Sequence, residues 1–141
     1  MLGTLATWLR ILGYDAAYAC DVDDEALLDQ AAAEERQLIT RDKELASRND
    51  DVILIESTDL EEQLRCIIET TGMEFLSDAM LSRCTVCNTP VDWVEKAAVK
   101  DVVPEHVYEH QEEFWRCPTC GRIYWKGTHL DNMQDFIQRL R

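Results

Sequence analysis

The 141 residues carry 28 Asp and Glu against 14 Lys and Arg, a formal charge of −14. That balance lacks the basic footprint of an ordinary nucleic-acid binder, and no run approaches the roughly 18 consecutive apolar residues of a membrane span. A hydrophobic content of 46% supports a real core, in one ordinary domain or a small domain joined to a smaller one.

The first element is an amphipathic helix, MLGTLATWLRIL, with Leu2, Leu5, Trp8, Leu9 and Leu12 on one face and Gly13 at the C-terminal cap position. That face, with Leu2, Leu5 and Trp8 foremost, predicts a sheet to pack on. The segment has neither a positive n-region nor a small-residue cleavage site, so it is not read as a signal peptide and the chain is expected to be cytoplasmic. Ala16–Cys20 reads as a short buried strand. Residues 24–36 read as a helix that Asp21 or Asp23 can cap. QLIT at 37–40 is a short strand, 42–48 a short helix, and VILI at 52–55 a β-branched strand. Residues 59–71 form a helix stopped by Gly72. Strands alternating with helices imply βαβ units and a parallel sheet.

Residues 73–83 are a connector, after which the composition changes. Four of the six Cys, all three Pro, all three His and three of the four Trp follow it. The only clear helix here is the tail, about 131–140, with Met133, Phe136, Ile137 and Leu140 on one face.

Cys84-Thr-Val-Cys87 and Cys117-Pro-Thr-Cys120 form two Cys-x-x-Cys pairs. Each tight turn can deliver two thiolates to one ion, and two such turns complete a tetrahedral zinc site. A reducing interior disfavours disulfides, and a redox pair would account for only one of the two motifs. Four thiolates leave zinc no open position, so it would fold a ribbon rather than catalyse. The interval between the pairs exceeds the commonest spacings, so its middle must be ordered or looped out. Cys20 and Cys66 read as small core residues. His129 is left as an alternative ligand, a substrate contact or a backbone cap. Trp115, Tyr124 and Trp125 can stack on bases, but core packing is the stronger reading in so small a module.

Acids gather where the first-half strands end: Asp21, Asp23 and Asp24, then Asp42, then Glu56 and Asp59. Ligands of parallel α/β sheets collect at these carboxyl ends. Converging carboxylates need solvent or a cation, and oxygen donors with water suit Mg2+ or Mn2+. The competing reading is plain: an acid-rich chain places acids after strands by chance, and Asp at a helix start is an ordinary cap. The net charge itself either keeps the chain soluble or adapts it to a salty interior. Scarce Lys with abundant Asp, Glu and Ala favours the latter, and at high salt the charge argument against nucleic acid weakens.

MLG-x-LA-x-WLR-x-LGYD, then DDE-x-LL, then LITRDKELA, then a ribbon ending CPTCGRIYWKGTH together resemble the mut-seven C-terminal family. The likeness covers essentially the whole chain, with fewer distinctive residues over 88–113. It implies a PIN-like three-layer α/β/α fold with a parallel sheet over 1–75. A zinc ribbon with a C-terminal helix over 76–141 completes the expectation, together with an acidic Mg2+- or Mn2+-dependent site that hydrolyses RNA. Position by position, the acid after the second family strand falls on Asp24, with Asp21 and Asp23 as substitutes. The acid of the TRD motif falls on Asp42, and a further acid on Asp59. All four ribbon cysteines match. The family pattern also places a strand ending in Asp before Met-Leu-Gly. The expectation is therefore an upstream start, with the first strand and one acid apparently missing here. The alternative function is a noncatalytic RNA- or protein-binding module built on a degenerate PIN-like platform.

Overall fold

Two apolar runs rich in β-branched residues, around Ile39 and Ile53, find each other and form a parallel pair. β1 (Ile39–Thr40) and β2 (Ile53–Leu54) are registered Ile39 to Ile53 and Thr40 to Leu54 in the computed structural model. The structure describes residues 2–19, 22–73 and 80–140, the side chains of 128–130 excepted. Cys20, Asp21 and most of the expected connector, 74–79, thus lie outside the described residues. The chain separates into two compact units, Met1–Ala6 with Ala17–Glu74, and Thr7–Ala16 with Phe75–Arg141. The division falls inside helix α1 (Gly3–Ile11).

In the first unit, α2 (Asp24–Ala33), α3 (Lys43–Ser47) and α4 (Leu60–Thr71) alternate with the two strands. Leu45 of α3, Ile53 and Ile55 at β2, and Leu64 and Ile67 of α4 are buried. Burying one such aliphatic side chain is worth roughly 1.5–3 kcal/mol, so these short elements are held by packing more than by propensity. The Cys66 thiol lies half-buried beside the Leu54 carbonyl, 3.9 Å away. Gln63, buried on α4, donates from Nε2 to the Ser57 carbonyl at 2.9 Å and fixes the turn after β2. Gly72 ends α4 in the left-handed region at φ 71°, as its sequence position predicts.

The expected strand at Ala16–Cys20 does not form over Ala16–Ala19. Alanine has little β preference, and the Ala16 peptide is engaged by side chains instead. Its N–H donates to Asn88 Oδ1 at 3.0 Å and its carbonyl accepts from Arg10 Nε at 2.7 Å.

The second unit is built on an antiparallel sheet, β3 (Asp92–Val94), β4 (Phe114–Arg116) and β5 (Ile123–Tyr124), in that order. The long interval between the cysteine pairs is ordered. A 3-10 turn (Lys96–Val99) and helix α5 (Glu105–His110) fold over one sheet face. Val99, Val103, Val107 and Phe114 form their shared core, with Val94, Tyr108, Ile123 and Trp125 packed against it. At six residues, α5 is too short to show periodicity, which is why the tail alone reads as helical in the sequence. That tail is α6 (Thr128–Arg139), with Ile137 and Leu140 buried. The Trp8 ring packs on Phe136 of α6, centroids 4.9 Å apart. The Ile11 carbonyl likewise accepts from Leu81 N–H at 2.7 Å, because Thr7–Ala16 folds with the second unit. No described helix is long and apolar enough to cross a membrane.

Candidate metal centre and acidic sheet edge

Cys84, Cys87, Cys117 and Cys120 bring their four sulfur atoms within 4.8 Å of one another. Cys84 Sγ and Cys120 Sγ stand 3.7 Å apart. A disulfide would need about 2.05 Å. Two ligands on a tetrahedral zinc, each about 2.3 Å from the ion, would stand about 3.8 Å apart. All four are free thiols, so the cluster fits zinc in both distance and donor chemistry.

The two halves of this site repeat one backbone plan. The Cys84 carbonyl accepts from Asn88 N–H and the Cys117 carbonyl from Gly121 N–H, both at 2.9 Å. Cys84 N–H donates to the Thr89 carbonyl and Cys117 N–H to the Arg122 carbonyl, again both at 2.9 Å. Arg83 bridges Pro90 as Arg116 pairs with Ile123. The residue after each pair is left-handed, Asn88 at φ 61° and Gly121 at φ 79°. Asn is the side-chain residue most tolerant of that region, so its place one step after Cys87 is a sequence signal equivalent to Gly121. The turns meet at Thr89 Oγ1 and Thr119 Oγ1, 3.3 Å apart.

Neighbours tune the thiols. Burial opposes ionisation of Cys84. Hydrogen bonds from the Tyr124 hydroxyl and the Cys87 and Val86 N–H groups outweigh it, holding this thiol down from 9.0 to about 6. Cys87 is pushed up to about 12, by desolvation first and then by hydrogen bonds and charge from Cys120 and Cys117. Thiolates packed this closely repel, and a dication relieves the repulsion. Tyr124 donates to Cys84 Sγ at 3.1 Å and accepts from Thr85 N–H at 3.1 Å. Burial and then the Cys84 contact raise its own pKa. No spacing rule points to Tyr124; only the β4–β5 pairing brings it there. Trp125, in contrast, belongs to the core, edge-on to Phe114 at 6.4 Å. The His129 side chain lies outside the described residues, and the four-sulfur cluster is complete without it.

The acids of the first unit are placed by capping. Asp23 Oδ1 accepts from Ala26 N–H at 2.8 Å and caps α2, whose first residue is Asp24. Asp42 Oδ1 accepts from Glu44 and Leu45 N–H at 2.9 and 3.3 Å and caps α3. Its own N–H donates to Thr40 Oγ1 at 3.1 Å, so the TRD sequence forms a fixed turn off β1. Asp59 caps α4 through Glu62 N–H at 3.2 Å. Each cap leaves an oxygen uncommitted, and a helix N-terminus favours the negative charge. Asp23, Asp42 and Asp59 are exposed and Asp24 is half-buried.

The parallel register adds Glu56. Thr40 pairs with Leu54, so Asp42 and Glu56, each two residues on, leave the same sheet edge at matching positions. Lys43 Nζ reaches Glu56 at 4.0 Å. Among the described residues, however, the four cysteines are the only His, Cys, Asp or Glu group of three or more with ligand atoms this close. Asp23, Asp24, Asp42 and Asp59 do not form one.

No curated protein and no solved structure gives a significant match to the chain. Residues 1–137 match the family described as the Mut7-C RNAse domain. With nearly its whole length matched, and its cysteines gathered as a zinc-compatible cluster, the chain belongs to the Mut7-C RNAse domain family.

Proposed function

We propose that the chain is a PIN-like, divalent-metal-dependent ribonuclease that hydrolyses RNA phosphodiester bonds. Membership of the RNase-domain family carries this reading. In it, residues 1–75 form a PIN-like three-layer domain, and residues 76–141 a ribbon folded around a structural zinc on Cys84, Cys87, Cys117 and Cys120. Asp42, Asp24 and Asp59 would hold Mg2+ or Mn2+, and Asp21 and Asp23 are assigned supporting roles in binding it. The donor set suits such ions, which take oxygen ligands, keep several waters and need only one or two protein carboxylates. When bound, the ion activates water and neutralises charge at the phosphate. The chain's own residues orient the carboxylates. Thr40 and the α3 N-terminus fix the Asp42 carboxylate, and Glu56 stands at the matching edge position.

The test is cleavage of a labelled single-stranded RNA by the zinc-loaded chain with Mn2+, against its Asp42→Asn variant. Asn caps a helix as well as Asp, so the substitution removes charge and leaves α3 intact. Cleavage should fall at least about a hundredfold, beyond the 10–100-fold typical of outer-shell changes at metal sites. Equal cleavage by both proteins would remove Asp42 from the site. One observation favours the noncatalytic alternative: the described acids serve as caps and do not cluster in threes. RNA binding without cleavage in either protein would establish that alternative.

A further inference from the structure

Adjacent strands of the ribbon sheet align Trp93 with Trp115, and Trp115 with Tyr124. Residues directly opposite on paired strands project from the same face. The other face is the one that carries the core, through Val94, Phe114 and Ile123. The row of Trp93, Trp115 and Tyr124 is therefore not needed to fill it. Tyr124 is tied by its hydroxyl to Cys84 and Thr85. Trp115 is half-buried, and Trp93 remains 59% exposed. Lys126, two residues beyond Tyr124, holds its Nζ 5.4 Å from the Trp115 ring centroid.

Charge separates the two parts of the chain. Residues 1–75 hold eighteen of the 28 acids and six of the basic residues, whereas 76–141 hold ten acids and eight basic residues. The stretch 114–127, which supplies Trp115, Tyr124 and Lys126, has Arg116, Arg122 and Lys126 and no acid at all. Asp92 beside Trp93 is registered opposite Arg116, on the core-bearing face. Exposed Glu95 and Glu113 lie two residues from Trp93 and Trp115, so the cationic contribution at the indole rings comes from Lys126, in a part of the chain far less acidic than 1–75.

We propose that the Trp93–Trp115 face of the ribbon sheet, with Lys126 beside it, is a stacking platform for unpaired bases of single-stranded RNA. Sheets that bind single strands place aromatic rings on neighbouring strands, stack successive bases on them and hold the phosphates with nearby cations. Two indoles on adjacent strands suit two bases, and Lys126 supplies the phosphate contact. The assignment rests on RNA being the substrate class. It concerns binding, so it stands or falls separately from the acidic edge.

The experiment measures binding of a fluorescein-labelled twelve-residue oligouridylate to the zinc-loaded full chain by anisotropy, with no Mg2+ or Mn2+ present. Trp93→Ala should weaken binding by about five- to a hundredfold, the range for losing one base–aromatic stack. Trp93→Phe should restore much of it. Lys126→Gln should weaken binding and lower the slope of log affinity against log salt by about one. Zinc content of each variant, read with a chromogenic chelator, should equal the parent's. Wild-type affinity in both Trp93→Ala and Lys126→Gln would overturn the platform, as would equal affinity for duplex and single-stranded RNA. Mn2+-dependent cleavage, assayed in parallel on the same variants, reports on the nuclease reading alone.

Discussion

Arg10 offers the sharpest test of how the ribbon unit is held together. From the last turn of α1, its Nε donates to the Ala16 carbonyl at 2.7 Å and its Nη1 to the Thr85 carbonyl at 2.9 Å. A third contact, to the Val86 carbonyl at 3.4 Å, is long and exposed. Thr85 and Val86 lie inside the first cysteine turn, so one planar guanidinium ties the chain near residue 16 to the metal centre. Hydrogen bonds from a charged donor contribute about 1.5–3 kcal/mol each. Only two of the three are short, and half-exposed carbonyls regain water when the side chain is removed. Arg10→Ala should therefore cost about 2–3 kcal/mol. Alanine is the best helix former, so none of that loss comes from α1 itself. Arg10→Lys keeps the charge but replaces the fork with a single ammonium, and should cost about half as much. All four tryptophans, Trp8, Trp93, Trp115 and Trp125, lie in the second unit, so urea unfolding followed by tryptophan fluorescence reads that unit directly. A loss below about 0.5 kcal/mol for Arg10→Ala, the scale of an ordinary surface change, would refute the clamp.

Gly121→Ala should cost about 1 kcal/mol in the same unfolding assay. A Cβ there meets nothing within 4 Å, so the cost is that of φ 79° alone. Tyr124→Phe removes the donor to Cys84 Sγ and should lower zinc affinity about 10–100-fold in a chelator competition; unchanged affinity would show that the contact is incidental. Zinc affinity should rise at least about tenfold per pH unit between pH 6 and 8, since the Cys87 thiol, pushed up to about 12, must release its proton throughout that range. Without metal the trend has two limbs. Cys84 is held down to about 6, so its contribution to stability is full above 9.0 and lost as pH falls through about 6. Cys87, pushed up to about 12, removes stability as pH rises from 9.0 towards that value. A flat denaturation profile of the metal-free chain across pH 6–9 would contradict the Cys84 limb.

Most helices were readable because their signals are local. Asp23, Asp42 and Asp59 mark helix starts, Gly72 marks a stop, and the tail helix shows its apolar face in sequence. The cysteine pairs were readable because zinc geometry restricts spacing within each turn. What escaped depends on partners distant in the chain. Ala16–Ala19 was expected to be a strand from its apolar run alone, but a strand needs a neighbour, and side chains of Arg10 and Asn88 take the Ala16 peptide instead. Trp8 was expected on a sheet and meets Phe136, more than a hundred residues later. Glu56 stands level with Asp42 through the register of β1 and β2, which no inspection of the loops separately provides.

The acids carry two meanings at once, and the physics does not force a choice between them. A capping Asp commits one oxygen to helix N–H groups and is held rigidly by doing so, as Asp42 is between Thr40 and α3. A metal ligand needs the same rigidity with one free oxygen. Capping is thus a way of presenting a carboxylate at the end of a strand, and Asp42 satisfies both demands. What distinguishes a cap from a ligand is company, because a lone carboxylate in water holds Mg2+ weakly. Glu56 at the matching position of β2 is the available companion, yet Lys43 already reaches it at 4.0 Å. An exposed pair of this length is worth little, at most about 1 kcal/mol, so an arriving dication would displace the lysine readily. On the proposed nuclease reading, Glu56 is therefore the companion that Asp42 would have at this edge, and the Lys43 contact is no obstacle to a dication there.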